Sequence, residues 1–214
     1  MYLFKNRDDA GKNLAKKLEK FKLKDKKSIV LAVPRGGIPI GAEIAKHLNI
    51  SFDLVIPRKL PIPFDPEAGF GAVINNEVVL NKRLLERINL SKKEINKIVK
   101  EVRKETRRRM EVYRGKKPLP KLKGKQVILV DDGLASGYTM LAAIKWARAR
   151  NAKKIIVAVP VSSETAMKIV KPEADKLITL HISHEPIFAV ASFYEEFPDL
   201  SDEDVVKILK NIVK

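Results

Sequence analysis

The chain has 214 residues, of which 43 are Lys or Arg and 26 are Asp or Glu, so its formal net charge is +17. With 45% hydrophobic residues it is too apolar to be a disordered basic tail, and its length suits one domain with elaborations. The absence of cysteine excludes disulfides and cysteine nucleophiles, and three histidines argue against a zinc site. Without an apolar run long enough to span a membrane or a secretory leader, we expect a cytoplasmic protein with no membrane partner.

Short apolar segments alternate with segments of helical periodicity along most of the chain. Strands are predicted at residues 28–33, 52–56, 126–130, 154–159 and 176–180. Helices are predicted at residues 8–21, 38–48, 138–150 and 199–214. Apolar strands separated by helices are typical of a parallel sheet that is buried on both faces. We therefore predict an α/β fold with a parallel sheet and helices on both of its faces.

Residues 57–80 interrupt this alternation. They contain four prolines, then two glycines, and at 71–80 two short apolar segments joined by Asn75-Asn76. The two apolar segments predict a hairpin over residues 71–74 and 77–80. A Pro-rich loop of this length in a compact domain is more often functional than filler, so we predict a flexible lid at about residues 60–70.

A strongly basic helical insertion is predicted at about residues 81–125. Residues 82–125 hold 18 Lys or Arg against 5 Glu, a net +13, which leaves only +4 for the rest of the chain. Ser91 and Glu94 fit a capping box, and apolar residues then follow helical spacing. One side of this helix should therefore pack against another surface. The charge could steer a highly anionic substrate or serve a polyanionic partner.

The most informative segment is residues 127–139, VILVDDGLASGYT. Its four apolar residues predict a buried strand that ends at Asp131 and Asp132, and a loop of small residues then leads into a helix. Ligands of open α/β sheets bind at this end of the strands, and the N–H groups of residues 135–139 at a helix N-terminus form a phosphate cradle. Two carboxylates would repel a phosphate, so they suit ribose hydroxyls or a divalent metal ion.

This segment resembles the signature with which type I phosphoribosyltransferases bind phosphoribosyl diphosphate (PRPP): four apolar residues, two acids, and a short loop ending in Gly-x-Thr. The resemblance implies that Asp131 and Asp132 hold the ribose hydroxyls. It also implies a 5′-phosphate site formed by Ala135, Ser136, Gly137, Tyr138 and Thr139. The alternative is an ordinary strand-to-helix turn in which the two aspartates only cap the helix.

Two other segments fall where this family has its diphosphate contacts. Residues 33–37 (VPRGG) follow the first core strand and resemble the family's diphosphate loop, although alone they would indicate only a turn. Residues 56–61 end the next strand with two cations and resemble the basic pair that precedes a mobile loop; Arg offers a bidentate fork and Lys a point charge. The candidate residues at the diphosphate are Arg35, Gly36, Gly37, Arg58 and Lys59.

The resemblance continues to Phe193-Tyr194-Glu195-Glu196-Phe197 and points to a prokaryotic branch of the family. It implies one phosphoribosyltransferase domain over residues 1–214 that transfers ribose 5-phosphate from PRPP to a nitrogen acceptor and releases diphosphate, as in nucleotide and nucleoside metabolism. Mg²⁺ would bind through PRPP, with Asp131 and Asp132 as its candidate protein ligands. The family also suggests a homodimer, to which the apolar stripe of the basic helix could contribute.

The acceptor pocket of this family lies in a variable hood, which we predict at about residues 181–198. Candidate base-pocket residues are Phe188, Val190 and Phe193, with Tyr194 beside them; the alternative is that they are ordinary core residues. Ala135 stands where 6-oxopurine enzymes have Asp, which disfavours a 6-oxopurine acceptor. Gly133 replaces the usual apolar residue and Tyr138 an often smaller one.

A second hypothesis is a regulator that keeps the PRPP site as a sensor and binds RNA or DNA through the basic insertion. Against it, the insertion has Tyr113 as its one aromatic residue and lacks a recognisable stacking platform. A solvated helix face would also explain the charge. A dinucleotide-binding Rossmann domain is excluded because no Gly-x-Gly-x-x-Gly follows the first strand.

Overall fold

The computed structural model describes residues 2–21, 23, 27–75 and 77–212, and only the backbone of residues 65–68, 82 and 83. The strands are β1 (Ser28–Ala32), β2 (Ser51–Leu54), β3 (Pro57–Ile62), β4 (Asp65–Ile74), β5 (Glu77–Leu80), β6 (Gln126–Val130), β7 (Lys154–Ser163) and β8 (Lys176–Ser183). The helices are α1 (Arg7–Leu18), α2 (Gly37–Leu48), α3 (Lys82–Leu85), α4 (Lys92–Arg114), α5 (Tyr138–Ala149), α6 (Glu164–Val170) and α7 (Asp202–Ile212). No helix in these ranges is long and apolar enough to cross a membrane.

A five-stranded parallel sheet of order β2-β1-β6-β7-β8 forms the centre of the molecule. Alternate side chains of its inner strands enter two separate apolar clusters, because successive residues of a strand face opposite sides. One cluster contains Ile29 and Leu129 and is covered by α5; the other contains Val30 and Ile128 and is covered by α1 and α2. The predicted α/β fold with helices on both faces is confirmed.

The predicted ends of several elements were wrong by a few residues. Helix α1 starts at Arg7 because the side chain of Asn6, not Asp8 or Asp9, accepts the N–H of Asp9 at 3.1 Å. Strand β7 continues past Pro160, since its pairing with β8 resumes at Val161 and runs to Ser163. Helix α7 starts at Asp202, while residues 213 and 214 lie outside the described residues.

The Pro-rich segment predicted as a loop is instead an antiparallel sheet of order β3-β4-β5. Strand β3 is an edge strand, and its register with β4 shifts on both sides of Pro61, so the missing N–H of this proline is tolerated. The predicted 71–80 hairpin is confirmed by the pairs Gly71–Leu80 and Ile74–Glu77; Asn76 lies outside the described residues. Closure of residues 60–70 over a substrate remains a prediction.

The basic insertion forms α3 and α4, followed by a non-helical segment, residues 115–125, that leads into β6. The predicted capping box is confirmed, with Ser91 Oγ accepting from Glu94 N at 3.2 Å and Ser91 N donating to Glu94 Oε2 at 2.8 Å. The apolar stripe of α4, including Ile98 and Val102, packs on Leu60 and Phe70 of the antiparallel sheet. This stripe is therefore partly buried within the chain, and its contribution to a dimer interface remains a prediction.

The carboxyl end of α4 reaches the central sheet. Tyr113 packs with Ile38 and Ile56, and Arg114 forms a buried ion pair with Asp53 at the end of β2. These contacts fix α4 beside the loops that follow β1 and β2.

Candidate active site

The loops that follow β1 and β6 meet at the carboxyl edge of the parallel sheet. The two strands are neighbours, with Ala32 opposite Val130, and the N–H of Val33 donates to the carbonyl of Val130 at 2.8 Å. Residues 33–37 and the two aspartates after β6 therefore lie side by side. The structure brings together two of the predicted site segments, which are about a hundred residues apart in sequence.

Two glycines allow this close approach. A Cβ atom placed on Gly36 would lie 1.8 Å from Oδ2 of Asp132, and one on Gly37 would lie 2.6 Å from the carbonyl oxygen of Val130. Gly36 has a φ of −60°, which any residue adopts, so the need for glycine here is one of space alone. The backbone of the predicted diphosphate loop is thus in contact with the predicted ribose-binding carboxylate.

Replacing Gly36 with Ala should lower the free energy of unfolding by about 1–3 kcal/mol, because the added methyl group overpacks the loop against Asp132. In an Asp132→Ala background the same change should cost clearly less, since the clashing carboxylate is gone. Denaturant unfolding of the four proteins of this double-mutant cycle measures the coupling. Equal costs in both backgrounds would contradict the contact.

The acid pair lies in an unusual electrostatic environment. Burial and the neighbouring Asp132 charge raise the pKa of Asp131 well above its ordinary value. Burial also raises the pKa of Asp132, and the charge and hydrogen bond of Arg7 oppose that rise. The N–H of Asp132 donates to Oδ1 of Asp131 at 2.9 Å, which orients the first carboxylate. The pair therefore gains from a ligand that supplies hydroxyl donors or positive charge.

Arg7, which the sequence analysis did not identify, holds Asp132 in place. Its Nε donates to Oδ2 of Asp132 at 3.0 Å and its Nη1 to the carbonyl of Pro198 at 2.8 Å. The guanidinium stacks 3.6 Å from the centroid of the Phe197 ring, and the residue is only 9% exposed. These contacts hold the carboxylate of Asp132, a predicted ligand-binding group, in one position.

The segment before α1 also fastens the predicted hood. The N–H groups of Leu3 and Phe4 donate to the carbonyl of Phe193, and the N–H of Glu195 donates to the carbonyl of Phe4. The buried hydroxyl of Tyr194 donates to the carbonyl of Asp132 at 2.7 Å. The chain near residue 4, the hood and the acid pair therefore form one connected unit.

The predicted base-pocket residues of the hood are partly buried by packing against other side chains. Phe188 and Phe193 lie with ring centroids 5.4 Å apart, and both are partly buried against the cluster beneath α1 and α2. A Cβ atom on Gly133 would lie 2.7 Å from both Cγ atoms of Val190. Val190 therefore fills the space that an apolar side chain at residue 133 would take, which explains the departure of Gly133 from the family pattern.

The predicted phosphate cradle lies at the start of α5. Gly137, with a φ of +79°, precedes the first helical turn, whose N–H groups have no carbonyl partner within the helix. Ala135, Ser136 and Tyr138 are exposed there, and Thr139 is partly exposed. Leu134 is held by backbone hydrogen bonds to Val161 and Ser163 of β7, which fixes the loop. The cradle is thus a preformed, accessible helix N-terminus.

The three predicted catalytic cations lie on two elements around this edge. Arg35 is exposed on the loop after β1, and Arg58 on β3 lies 3.7 Å from Glu105 of α4. Lys59 lines a cavity of about 340 Å³ between the antiparallel sheet and α5, and Tyr138 and Thr139 of the cradle line the same cavity. Lys59 and the phosphate cradle therefore share one cavity, whereas Arg58 faces α4.

The donor set of this site suits a hard cation that brings other ligands with it. Among the described residues no group of three or more His, Cys, Asp or Glu is arranged to hold a metal ion. The adjacent carboxylates of Asp131 and Asp132 nevertheless offer oxygen ligands, and burial raises the pKa of both even though Arg7 pairs with Asp132. Such a pair fits Mg²⁺, which keeps waters and binds through few carboxylates together with substrate phosphates.

Comparison with known proteins agrees with this geometry. A family model described as a phosphoribosyl transferase domain matches residues 77–196. Two proteins of Mycobacterium tuberculosis, MT0597 and Rv0571c, named as candidate phosphoribosyl transferases, are each 37% identical to the chain over 211 residues. These matches cover 98% of the chain but 47% of each relative, so the chain spans about half the length of these curated relatives.

Solved structures show the same fold. The crystal structure of TT1426 from Thermus thermophilus is 34% identical and superposes with a TM-score of 0.86 over 99% of both chains. A purine phosphoribosyltransferase from Pyrococcus horikoshii is 19% identical, with a TM-score of 0.52 over 94% of this chain and 97% of that one, and shares the fold alone. The sequence identity over nearly the whole chain, the family match over more than half of it and the acid pair at the sheet edge lead to one conclusion: the chain belongs to the phosphoribosyltransferase family.

Proposed function

We propose that the chain transfers ribose 5-phosphate from PRPP to a nitrogen atom of a nucleobase-like acceptor and releases diphosphate. The observation that carries this proposal is the contact of Gly36 with Asp132 beside the N-terminus of α5. A diphosphate loop, a pair of carboxylates and a phosphate cradle then lie in the order in which PRPP presents its diphosphate, its ribose hydroxyls and its 5′-phosphate.

In this proposal, carboxylates bind the ribose, and backbone N–H groups and cations bind the phosphates. Asp131 and Asp132 accept hydrogen bonds from the ribose hydroxyls, and the cradle at residues 135–139 donates N–H groups to the 5′-phosphate. Gly36 and Gly37 let the loop backbone approach the diphosphate, next to the Arg35 charge. Arg58 and Lys59 of β3 add positive charge from the antiparallel sheet.

The reaction breaks the bond between the ribose anomeric carbon and the diphosphate oxygen, and that oxygen keeps the electron pair. The acceptor nitrogen forms the new bond to the same carbon and loses its proton to solvent. Positive charge grows on the ribose as negative charge grows on the diphosphate. Preorganised cations at the diphosphate and carboxylates at the ribose stabilise both charges. When bound by Asp131, Asp132 and the substrate, Mg²⁺ would neutralise part of the leaving-group charge.

The proposal about the acceptor rests on Ala135 and on the predicted hood. A position that carries Asp in 6-oxopurine enzymes has a methyl group here, so we propose an acceptor other than a 6-oxopurine. The pocket would be formed beside Val190, which lies against Gly133, and Phe193, which packs on the same apolar cluster. We further propose that the protein acts in nucleotide metabolism in the cytoplasm, as a homodimer.

The test is a panel of purines, pyrimidines and simple amines, each incubated with the full chain, PRPP and Mg²⁺. We expect diphosphate release with one acceptor, and mass spectrometry should show that acceptor carrying a ribose 5-phosphate. Hypoxanthine and guanine should remain unmodified. No turnover with any acceptor would contradict the proposed transferase.

The alternative is a PRPP-sensing regulator that binds RNA or DNA through the exposed basic residues of α4. Binding of generic RNA or duplex DNA should then weaken steeply as salt rises, because phosphate contacts release counterions. Lack of binding at low salt removes this alternative. Within the described residues Arg108 and Arg114 of α4 make ion pairs inside the chain, which leaves fewer arginines of this helix available to a nucleic acid.

A further inference from the structure

A single carboxylate on the basic helix gathers three guanidinium groups. Glu105 accepts from Arg108 at both oxygens, at 2.9 and 3.0 Å, and from Nε of Arg109 at 2.9 Å. Arg58 of β3 lies 3.7 Å from Oε1, the oxygen that Arg109 also uses. Since Arg58 is a predicted diphosphate contact, Glu105 connects the basic helix to the candidate active site.

The same part of α4 is anchored beside the diphosphate loop. Tyr113, one helical turn after Arg109, donates to Asp202 of α7 and packs on Ile38, which directly follows Gly37. Burial raises the pKa of Tyr113 to about 12, and the nearby charges of Arg109 and Arg35 oppose that rise. The positive charges of Arg35 and Arg109 therefore both act on the Tyr113 hydroxyl.

The arginines around Glu105 differ in how fully they are engaged. Arg108 is held on two sides, by Glu105 and by Asp202 at 2.5 Å, so it joins α4 to α7. Arg109 uses its Nε for Glu105, and among the described residues its two Nη atoms have no ion-pair partner. Its side chain is 21% exposed, so it is largely buried and only partly accessible to solvent. A guanidinium with both Nη atoms available in this way is suited to a bidentate contact with a phosphate group.

We propose that Arg109 is a further diphosphate-binding residue and that Glu105 positions Arg109 and Arg58 for it. The inference rests on the proposed function, because it assumes that the diphosphate of PRPP lies beside Arg35. Arg58 and Arg109 share Glu105, and Tyr113 of the same helix packs on Ile38 beside the loop that carries Arg35. The single carboxylate of Glu105 balances only part of the charge of the guanidinium groups around it. The neighbouring Arg108 keeps a structural role. The ligand class is a diphosphate or a diphosphate ester.

Calorimetric titration of the full chain with PRPP and Mg²⁺ and, separately, with inorganic diphosphate tests this inference. Arg109→Ala should lower the affinity for both ligands by about 10- to 100-fold, the range expected for the loss of one charge-assisted contact. Arg109→Lys should recover part of the loss, because it keeps the charge but not the fork. Arg107→Ala is the matched control, since Arg107 is an exposed residue of the same helix and carries the same charge.

The possible results distinguish a direct contact of Arg109 with the ligand from long-range electrostatic attraction and from misfolding of the variant. If the helix only steers anions by its field, Arg109→Ala and Arg107→Ala will weaken binding equally, mainly at low salt, and the inference is overturned. Equal binding by wild type and Arg109→Ala also overturns it. If the wild type itself binds neither ligand, the proposed function fails as well. Arg109→Lys provides the comparison if circular dichroism shows that Arg109→Ala does not fold.

Discussion

Replacement of both Asp131 and Asp132 by Asn is expected to weaken PRPP binding by about 100-fold or more, since two hydrogen bonds to charged groups are lost. Asn keeps the shape of the side chain but removes the negative charge that favours the ribose hydroxyls and Mg²⁺. The Asp132 carboxylate lies against Gly36 and accepts from Arg7, and the N–H of Asp132 donates to Oδ1 of Asp131. Calorimetric titration of PRPP in the presence of Mg²⁺ measures the loss.

The control for this variant is Glu173→Gln, which removes one negative charge from an exposed residue on the loop after α6. It should bind PRPP like the wild type. Thermal unfolding of the double Asn variant is measured alongside, because Asp132→Asn leaves the buried Arg7 without its counter-charge and can destabilise the fold. PRPP binding that survives the double replacement would contradict the assignment of the acid pair.

Arg7→Ala is expected to shift the pH dependence of PRPP binding toward higher pH. The charge of Arg7 opposes the burial that raises the pKa of Asp132, so its removal lets that pKa rise further. The pair then holds a proton to higher pH, and PRPP, which needs the ionised pair, binds more weakly in the acidic range. At a pH below the pKa of the pair, each unit by which this pKa rises lowers the affinity for PRPP about tenfold. Titrations between about pH 5 and pH 8 measure this shift.

A purely structural role for Arg7 would weaken binding equally at every pH, and that result would contradict the electrostatic account. Arg7→Lys should lie between the wild type and Arg7→Ala, because Lys keeps the charge but loses the hydrogen bond to Pro198 and the planar stacking on Phe197. Lys12→Ala is the matched control, since Lys12 lies on the exposed face of the same helix. Its pH profile should match that of the wild type.

The features predicted well are those that depend on nearby residues. The strand β6 was predicted with its observed bounds, Gln126–Val130, because a short apolar segment between a polar end and two aspartates has one interpretation. The capping box at Ser91 and the 71–80 hairpin were predicted for the same reason. The position of Asp131 and Asp132 at the sheet edge followed from their place after a buried parallel strand.

The features missed are those that depend on distant partners. Arg7 lies 125 residues from Asp132, and an arginine beside two aspartates at a helix start has no local mark of burial. Strand β3 and its pairing with β4 were missed because prolines disfavour inner strands, whereas β3 is an edge strand whose register shifts around Pro61. The sequence around Glu105 and Arg109 indicates only a basic helix, because the groups that this cluster contacts outside α4 lie on β3 and α7.

The structure shows where the excess positive charge of the chain lies. Most of it belongs to the basic insertion, and α4 uses its apolar stripe to cover the antiparallel sheet and its arginines to join α7 and β2. Its Glu105 in turn pairs with Arg58 of β3. The insertion therefore packs against the rest of the chain through both apolar and charged contacts. Its role in attracting an anionic substrate remains a prediction.

The central claim is that this chain binds PRPP at the edge formed by residues 33–37 and 131–139. Its most direct test is calorimetric titration of the full chain with PRPP and Mg²⁺. We predict saturable binding with one site per chain that is lost when Asp131 and Asp132 are both replaced by Asn. Absence of heat and of saturation at millimolar PRPP, or unchanged binding in the double variant, would contradict the account.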